Sequence, residues 1–338
     1  MPPTDDQIRE LVRRFTCLEV NGWDEAAFDH ARAHLGWSPA QYSAREQEWA
    51  ARFPNLRRGE EYDTGLGTGR GSFTRSDTMY DRPSIQVRVG QDDDLFRSLR
   101  SALEESLGSP SIMRGPGPLL RWRGSDRLLE LERIRGSSYL AVRPTEAVEA
   151  DEYQTAKWAE SEDGLGQLGY WQVTGRGPEM MGTFIPGGYW VDSWEKFQEE
   201  LAETLRSVVQ DFTLLDGPGH FTVVVHTPGD RRFVQWTTHD PDWTLEIQAA
   251  IPPNADSAWK ANMAEAGWLA ASDPSVKDHV LVRLFPDLDM EGAATASRML
   301  VDALCSYDVP FEDLWHQVIS PDVRLLGIGL PTHPGGRV

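Results

Sequence analysis

The sequence predicts an α+β protein of two domains, each a small, mostly antiparallel sheet covered by helices. Three observations lead there. Strand-like runs follow one another directly through glycine turns, as Leu120 to Trp122, Leu128 to Ile134 and Tyr139 to Val142 do, which makes them antiparallel neighbours rather than βαβ repeats. Amphipathic helix patterns flank these runs instead of alternating with them. At 338 residues the chain also exceeds the size at which one core keeps growing.

The N-terminal half opens with two helix signals. Ile8, Leu11, Val12, Phe15 and Leu18 recur at helical spacing, and Asp24 caps a second segment carrying Phe28, Ala31 and Leu35 that Gly36 ends. Tyr42 to Tyr80 is polar, rich in Gly and Arg, and reads as a long loop. Ile85, Val87 and Val89 alternate as a strand, and Leu95 to Leu107 is helical after the acidic opening Asp92-Asp93-Asp94. Gly108 and Pro110 stop that helix before the three strands above.

Thr145 to Tyr189 is acidic, then rich in Gly, Trp and Met, and reads as a connector. Trp194, Phe197, Leu201, Leu205, Val208 and Val209 mark the next amphipathic helix. Strands follow at Phe221 to Val225, Phe233 to Trp236 and Trp243 to Ala249, where apolar residues alternate with Thr244, Glu246 and Gln248 as in a sheet with one covered face. On the middle strand Val234 and Trp236 fall on one side, Phe233 and Gln235 on the other. A helix over Ser257 to Ala266, a strand over Val280 to Leu284 and a closing helix over Ala293 to Tyr307 complete the half. The expected domains are 1–150 and 191–320, joined by a connector at 151–190 and followed by a loose, proline-rich tail at 321–338. Gly36-Trp37 and Gly267-Trp268 each end a helix, a weak echo between the halves.

Charge excludes some functions. The net charge is −20, from 33 Lys and Arg against 53 Asp and Glu, so a nucleic-acid backbone is repelled. Arg121, Arg123, Arg127, Arg133 and Arg135 are interleaved with Glu130 and Glu132, and read as a solvated mixed-charge face. No apolar run approaches a membrane span, and no signal-peptide core follows Met1, so a cytoplasmic protein is expected. Cys17 and Cys305 fit reduced thiols buried in helices.

Chemistry-bearing motifs are incomplete. Gly65 to Gly71 lacks the Lys-Ser/Thr ending of a phosphate loop and misplaces the third glycine of a dinucleotide fingerprint, where Arg70 stands. Asp287, Asp289, Glu291 and Gly292 begin like a calcium loop, but Arg298 occupies the position of the bidentate glutamate; these acids suit a helix N-terminus instead. His30 and His34 have zinc spacing, yet Ala31 stands where a metalloprotease keeps its glutamate and no third ligand follows. Glu104-Glu105 and Glu199-Glu200 fall on faces read as exposed. No catalytic residue, metal or cofactor is assigned. The 13 Trp residues, concentrated after the connector, are the positive signal, serving cores or peptide and sugar contacts.

Phe233-Val234-Gln235-Trp236, Leu245-Glu246, the helix end Ala266-Gly267-Trp268, and Ala293 to Leu304 followed by Tyr307, Val309 and Pro310 occur in an order that resembles the peptide-binding chaperone superfamily. That superfamily unites type III secretion chaperones with YbjN-like proteins. The N-terminal half resembles an uncharacterised bacterial family through Leu35-Gly36-Trp37, Leu107 to Pro110 and Leu119 to Arg123. The resemblance implies a non-catalytic bacterial chaperone or adaptor whose partner is a protein or peptide client, with a homodimer among the states such chaperones adopt. An immunity protein blocking one toxin is the alternative, and an enzyme or sugar-binding protein using the Trp-rich connector is the third reading. Phe233, Gln235 and Glu246, on the wet side of their strands, are the expected peptide-binding residues.

Overall fold

A computed structural model describes residues 3–41, 44–45, 48, 52, 60–65, 70–74, 83–158, 169–174, 190–215, 222–229, 232–239, 244–275, 279–286, 288–320 and 323–332. Leu66 to Gly69, Trp243, Asp287 and most of the glycine-rich connector lie outside these residues. The fold is α+β, with two antiparallel sheets. The chain divides into two compact units, one formed by 1–113, 117–154 and 174–185, the other by 114–116, 155–173 and 186–338.

The first unit begins with α1 (Asp5–Thr16), where Thr4 and Gln7 form a capping box, and α2 (Glu25–Leu35), capped by Asp24 and closed by Gly36 at φ 68°. Its sheet contains β1 (Ser38–Pro39), β2 (Glu60–Asp63), β3 (Arg70–Thr74), β4 (Ser84–Gly90), β5 (Ile112–Gly115), β6 (Leu119–Arg123), β7 (Arg127–Ile134) and β8 (Ser137–Pro144). They lie in the order β1-β2-β3-β4-β8-β7-β6-β5. α3 (Asp93–Leu107) follows β4, and α4 (Thr145–Trp158) follows β8. β7 and β8 are joined by Arg135 and Gly136, both at positive φ, as a two-residue hairpin of this twist demands.

Several of these elements depart from the expectation. β2 and β3 form a hairpin within the stretch read as loop, and they close over Trp37. A Cβ at Gly71 would run into that ring, so this short polar strand is defined by what it lets approach. α4 occupies part of the stretch read as connector.

The arginine face of β6, β7 and β8 is the main correction. Arg121 and Glu130 are 1% and 0% exposed, so the centre of this face is buried rather than solvated, while Arg123 is half-buried and Arg135, in the turn, stays exposed. Arg121 donates to Glu130 at 2.7 Å and holds Glu152 of α4 with two bonds of 2.9 and 2.7 Å; Arg123 grips Glu149, one turn earlier on that helix. Arg143 adds contacts to Glu130 and Glu132 at 3.3 and 2.9 Å. Burial opposes the charge on Arg121, but Glu130 and Glu152 outweigh it and raise its pKa above the usual arginine value. The opposite face carries Leu120, Trp122, Leu129, Leu131, Leu140 and Val142, all buried.

The second unit contains β9 (Trp171–Thr174), α5 (Trp194–Leu215), β10 (Thr222–His226), β11 (Phe233–His239), β12 (Thr244–Ala250), α6 (Ser257–Glu265), β13 (Leu269–Ala270), β14 (Val280–Phe285), α7 (Met290–Cys305), β15 (Trp315–Ile319) and β16 (Val323–Arg324). Six strands form the sheet, in the order β13-β14-β12-β11-β10-β15. α5 and α7 pack against each other, and α7 packs on β11 and β12. Asp289 caps α7 by accepting from the amide of Gly292 at 2.7 Å, the role expected of that acidic run.

Three more expectations change here. Residues 323–331, within the stretch read as a loose tail, are packed: Val323, Leu325, Ile328 and Leu330 are buried, β16 pairs with β9, and Pro331 accepts from the amide of His316 at 2.8 Å. Apolar residues at every second or third position give it something to bury despite its prolines. Glu200 is buried on α5, where Lys196 reaches it at 3.1 Å, while Glu199 stays exposed. Cys17 and Cys305 are free but exposed, because each sits at the last turn of its helix.

Candidate functional site

The covered face of the second sheet is apolar throughout its centre. Val223, Val225, Val234, Trp236, Leu245, Ile247 and Ala249 are each 0% exposed. Alternation then sends every intervening residue to the other face, and the register lines these up across five strands. One row runs Gln317, Val224, Gln235, Gln248, Val282; a second runs Ile319, Thr222, Thr237, Glu246, Leu284. A third joins Trp315, His226 and Phe233.

All three residues expected to bind peptide therefore share this face, and all are half-buried. Gln235 donates to Gln248 at 2.8 Å, and Gln248 donates to Glu246 at 2.5 Å, so two of them are linked through a residue that sequence reasoning does not single out. Phe233 stands at the other end, beside His226, whose ring stacks on Trp315 at 4.0 Å and 8°. Thr222 and Thr237 share a hydrogen bond of 2.8 Å. Among the described residues of these three rows, Glu246 is the single carboxylate. The face is a ladder of amides, hydroxyls and aromatic rings, suited to contact with a polypeptide surface.

The apolar end of the face lies at β13 and β14. Leu269 and Leu284 are 58% and 54% exposed, and β13 pairs only with Leu281 and Val282. Among the described residues, Arg283 to Phe285 are thus paired on one side alone, with β12. The far edge, β15, is different: Pro331 takes the outward amide of His316. An added strand would meet free backbone groups at β14, beside exposed leucines, and a capped edge at β15.

His316 lies on the covered side at 4% exposure, and burial pushes its pKa down to about 4. The sequence reading assigns no element to β15. Its run Trp-His-Gln-Val-Ile is the available signal, rich in aromatic and β-branched residues. Leu269 cannot be found that way, because a two-residue strand has no period.

The remaining motifs stay apart from this face. His30 and His34 are exposed on α2, and His34 Nε2 lies 3.1 Å from the carbonyl of Arg14. Among the described residues no group of three or more His, Cys, Asp or Glu is placed to hold a metal ion. No helix among them is long and apolar enough to cross a membrane. Of ten Trp residues whose burial is described, five are buried.

No curated protein matches the chain, and no solved structure does. Residues 188–322, which supply the whole six-stranded sheet with α5, α6 and α7, match the family described as T3SS (YopN, CesT) and YbjN peptide-binding chaperone 3.

Proposed function

We propose that this protein is a non-catalytic peptide-binding chaperone or adaptor of a bacterial cytoplasm. Its second unit holds an extended client segment against the half-exposed face and the β14 edge of the six-stranded sheet. The observation that carries this reading is the pairing of free strand edge with exposed Leu269 and Leu284, within the segment that matches a peptide-binding family. Backbone hydrogen bonds supply affinity in such a mode, and alternate side chains supply selectivity. Phe233, Gln235 and Glu246 contribute the selective contacts.

One observation favours the immunity-type reading. Residues 188–322 carry 23 Asp and Glu against 8 Lys and Arg, a net −15 within the total of −20. Such a surface steers basic partners of any kind, raising association rate more than final affinity.

Selection of a displayed short-peptide library on the full chain, followed by titration of the enriched peptides at low and high salt, tests both. The expected result is apolar-alternating peptides whose affinity falls at least about tenfold in Leu284→Glu and Phe233→Ser, and changes little with salt. Equal enrichment on wild type and Leu284→Glu rejects the edge site. Affinity that vanishes with salt favours a single basic partner held by charge.

A further inference from the structure

The β14 edge offers less backbone than its length suggests. The amide of Ile251 donates to the carbonyl of His279 at 2.7 Å, which extends the ladder of β12 and β14 by one pair and fixes its phase. In an antiparallel ladder hydrogen-bonded pairs alternate with open ones. Leu281, Arg283 and Phe285 therefore turn their N–H and C=O groups toward β12, and Val282 and Leu284 turn theirs outward. Val282 meets Leu269 of β13, whereas Leu284 has no strand partner on that side among the described residues. Pro286, two residues on, has no N–H to give. The free edge is thus one residue wide, bounded by β13 and by a proline.

A peptide residue set opposite Leu284 exchanges two hydrogen bonds with it, and its side chain falls on the half-exposed face. Leu284 stands across from it there, and Leu269 lies about 7 Å further along the same line, two residues of strand rise. Both leucines are more than half exposed, so the position between them selects an aliphatic side chain. The line itself runs into β13. A strand antiparallel to β14 meets Trp268 and Leu269 with its C-terminal end, and a parallel strand meets them with its N-terminal end.

Arg283 decides between the two. It is the only charged residue of β13 and β14, it is exposed, and it has no ion pair among the described residues. Its guanidinium lies at the turn into β13, with Nη1 3.4 Å from the carbonyl of Gly267 and Cζ 5.9 Å from the centre of the Phe285 ring. One long hydrogen bond leaves most of its N–H groups uncommitted. The last carbonyls of α6 are taken by the amides of Ala266, Gly267 and Trp268, and Glu246, opposite Leu284 on β12, presents its carboxylate to the other face and to Gln248. A terminal ammonium is repelled at this spot and a terminal carboxylate attracted. We propose, resting on the peptide-binding reading, that the β14 edge takes the free C-terminal residue of a client polypeptide. Its aliphatic side chain lies between Leu284 and Leu269, its N–H donates to the Leu284 carbonyl, and its carboxylate accepts from the Leu284 amide and from Arg283.

Fluorescence anisotropy of the full chain with the N-terminally labelled peptide Ser-Val-Thr-Ile-Thr-Leu tests it, in three forms: the free acid, the C-terminal amide, and the peptide lengthened by Gly-Ser after the leucine. The acid is expected to bind with a dissociation constant near or below about 100 μM, and the other two at least about tenfold more weakly. Arg283→Gln should bring the acid to the level of the amide and leave the amide unchanged, a pattern that general loss of structure does not produce. Leu269→Ser, or serine in place of the terminal leucine, should weaken the acid by at least about fivefold. Equal binding of the three peptides that Leu284→Glu abolishes overturns the C-terminal inference and leaves the edge reading standing; equal binding that Leu284→Glu leaves intact overturns both. An Arg283→Gln effect of the same size on acid and amide, or no binding of the acid, also overturns the inference, while the library selection judges the peptide-binding reading independently.

Discussion

The two sheets solve the same problem on one face and opposite problems on the other. Each buries an apolar face beneath or beside helices. In the first unit the second face is ionic and sealed, with Arg121 and Glu130 out of solvent and Glu149 and Glu152 of α4 tied down onto it. In the second unit the second face is nearly neutral and half-exposed, with amides and hydroxyls bonded to one another. A sealed ionic face demands complete pairing, because each charge left over is costly in low dielectric. A neutral, half-wet face tolerates gaps and can exchange its contacts for those of a partner. The difference separates a face fixed by its own ion pairs from one that leaves its polar groups half-exposed.

The largest expected effect tests that contrast directly. Arg121→Ala or Glu130→Ala strands a buried opposite charge and should cost about 3–5 kcal/mol. Gln235→Ala and Gln248→Ala, the corresponding cross-strand pair of the second sheet, should stay within about 0.5 kcal/mol, as surface changes do. Denaturant midpoints measure both, with hydrogen exchange assigning the loss to one unit. Equal costs in the two sheets would remove the distinction.

A second effect belongs to the edge of the second sheet. His316 has a folded pKa of about 4, below the unfolded value near 6.5, so the unfolded chain takes up the proton first. Stability from this group is complete above about pH 6.5 and declines as pH falls toward 4, by at most about 3 kcal/mol. His316→Gln should flatten that part of the pH–stability curve. An unchanged slope would mean that the imidazole is not shielded by β15 and the tail.

The smallest effect concerns the echo between the units. α2 and α6 both end on glycine at positive φ, Gly36 at 68° and Gly267 at 94°, and both continue into a buried tryptophan and a two-residue strand at a sheet edge. In each, the tryptophan amide returns to the helix, Trp37 to Arg32 and Trp268 to Met263, as in a Schellman closure. Either glycine changed to Ala should cost about 1–2 kcal/mol. Gly36→Ala should be the worse, because its Cβ would come within 3.1 Å of Arg14 while that of Gly267 meets nothing nearer than 3.9 Å. Thermal midpoints of the two variants decide the order.

The parts of this fold that are legible in the sequence share a cause. Helices with caps and period, such as α3 after Asp92, and strands with one apolar face, such as β12, write their own environment into local sequence. Trp236 can be placed in the core from alternation alone. What escapes such reading depends on distant partners. Nothing near Arg121 announces Glu152, thirty-one residues away, so a buried ionic face and a solvated one look identical in sequence. The candidate face is half legible for the same reason: that Phe233, Gln235 and Glu246 share it follows from strand parity, whereas the place of Leu269 and the β14 edge follows from which strand pairs with which.

The packed tail has a consequence for the timing of folding. Residues 323–331 complete the second unit by pairing with β9, taking the outward amide of His316 and burying four apolar side chains. During synthesis they leave the ribosome after every other element of that unit. Strands β1 to β8 and α4 all lie before residue 159, so they can pack while the second unit is still being translated, since domains fold as units from the N-terminal side. Until the tail arrives, β15 offers an uncapped edge and α5 lacks part of its cover. A protein proposed to hold extended chains thus passes through a nascent stage in which its own edge is the one that needs holding.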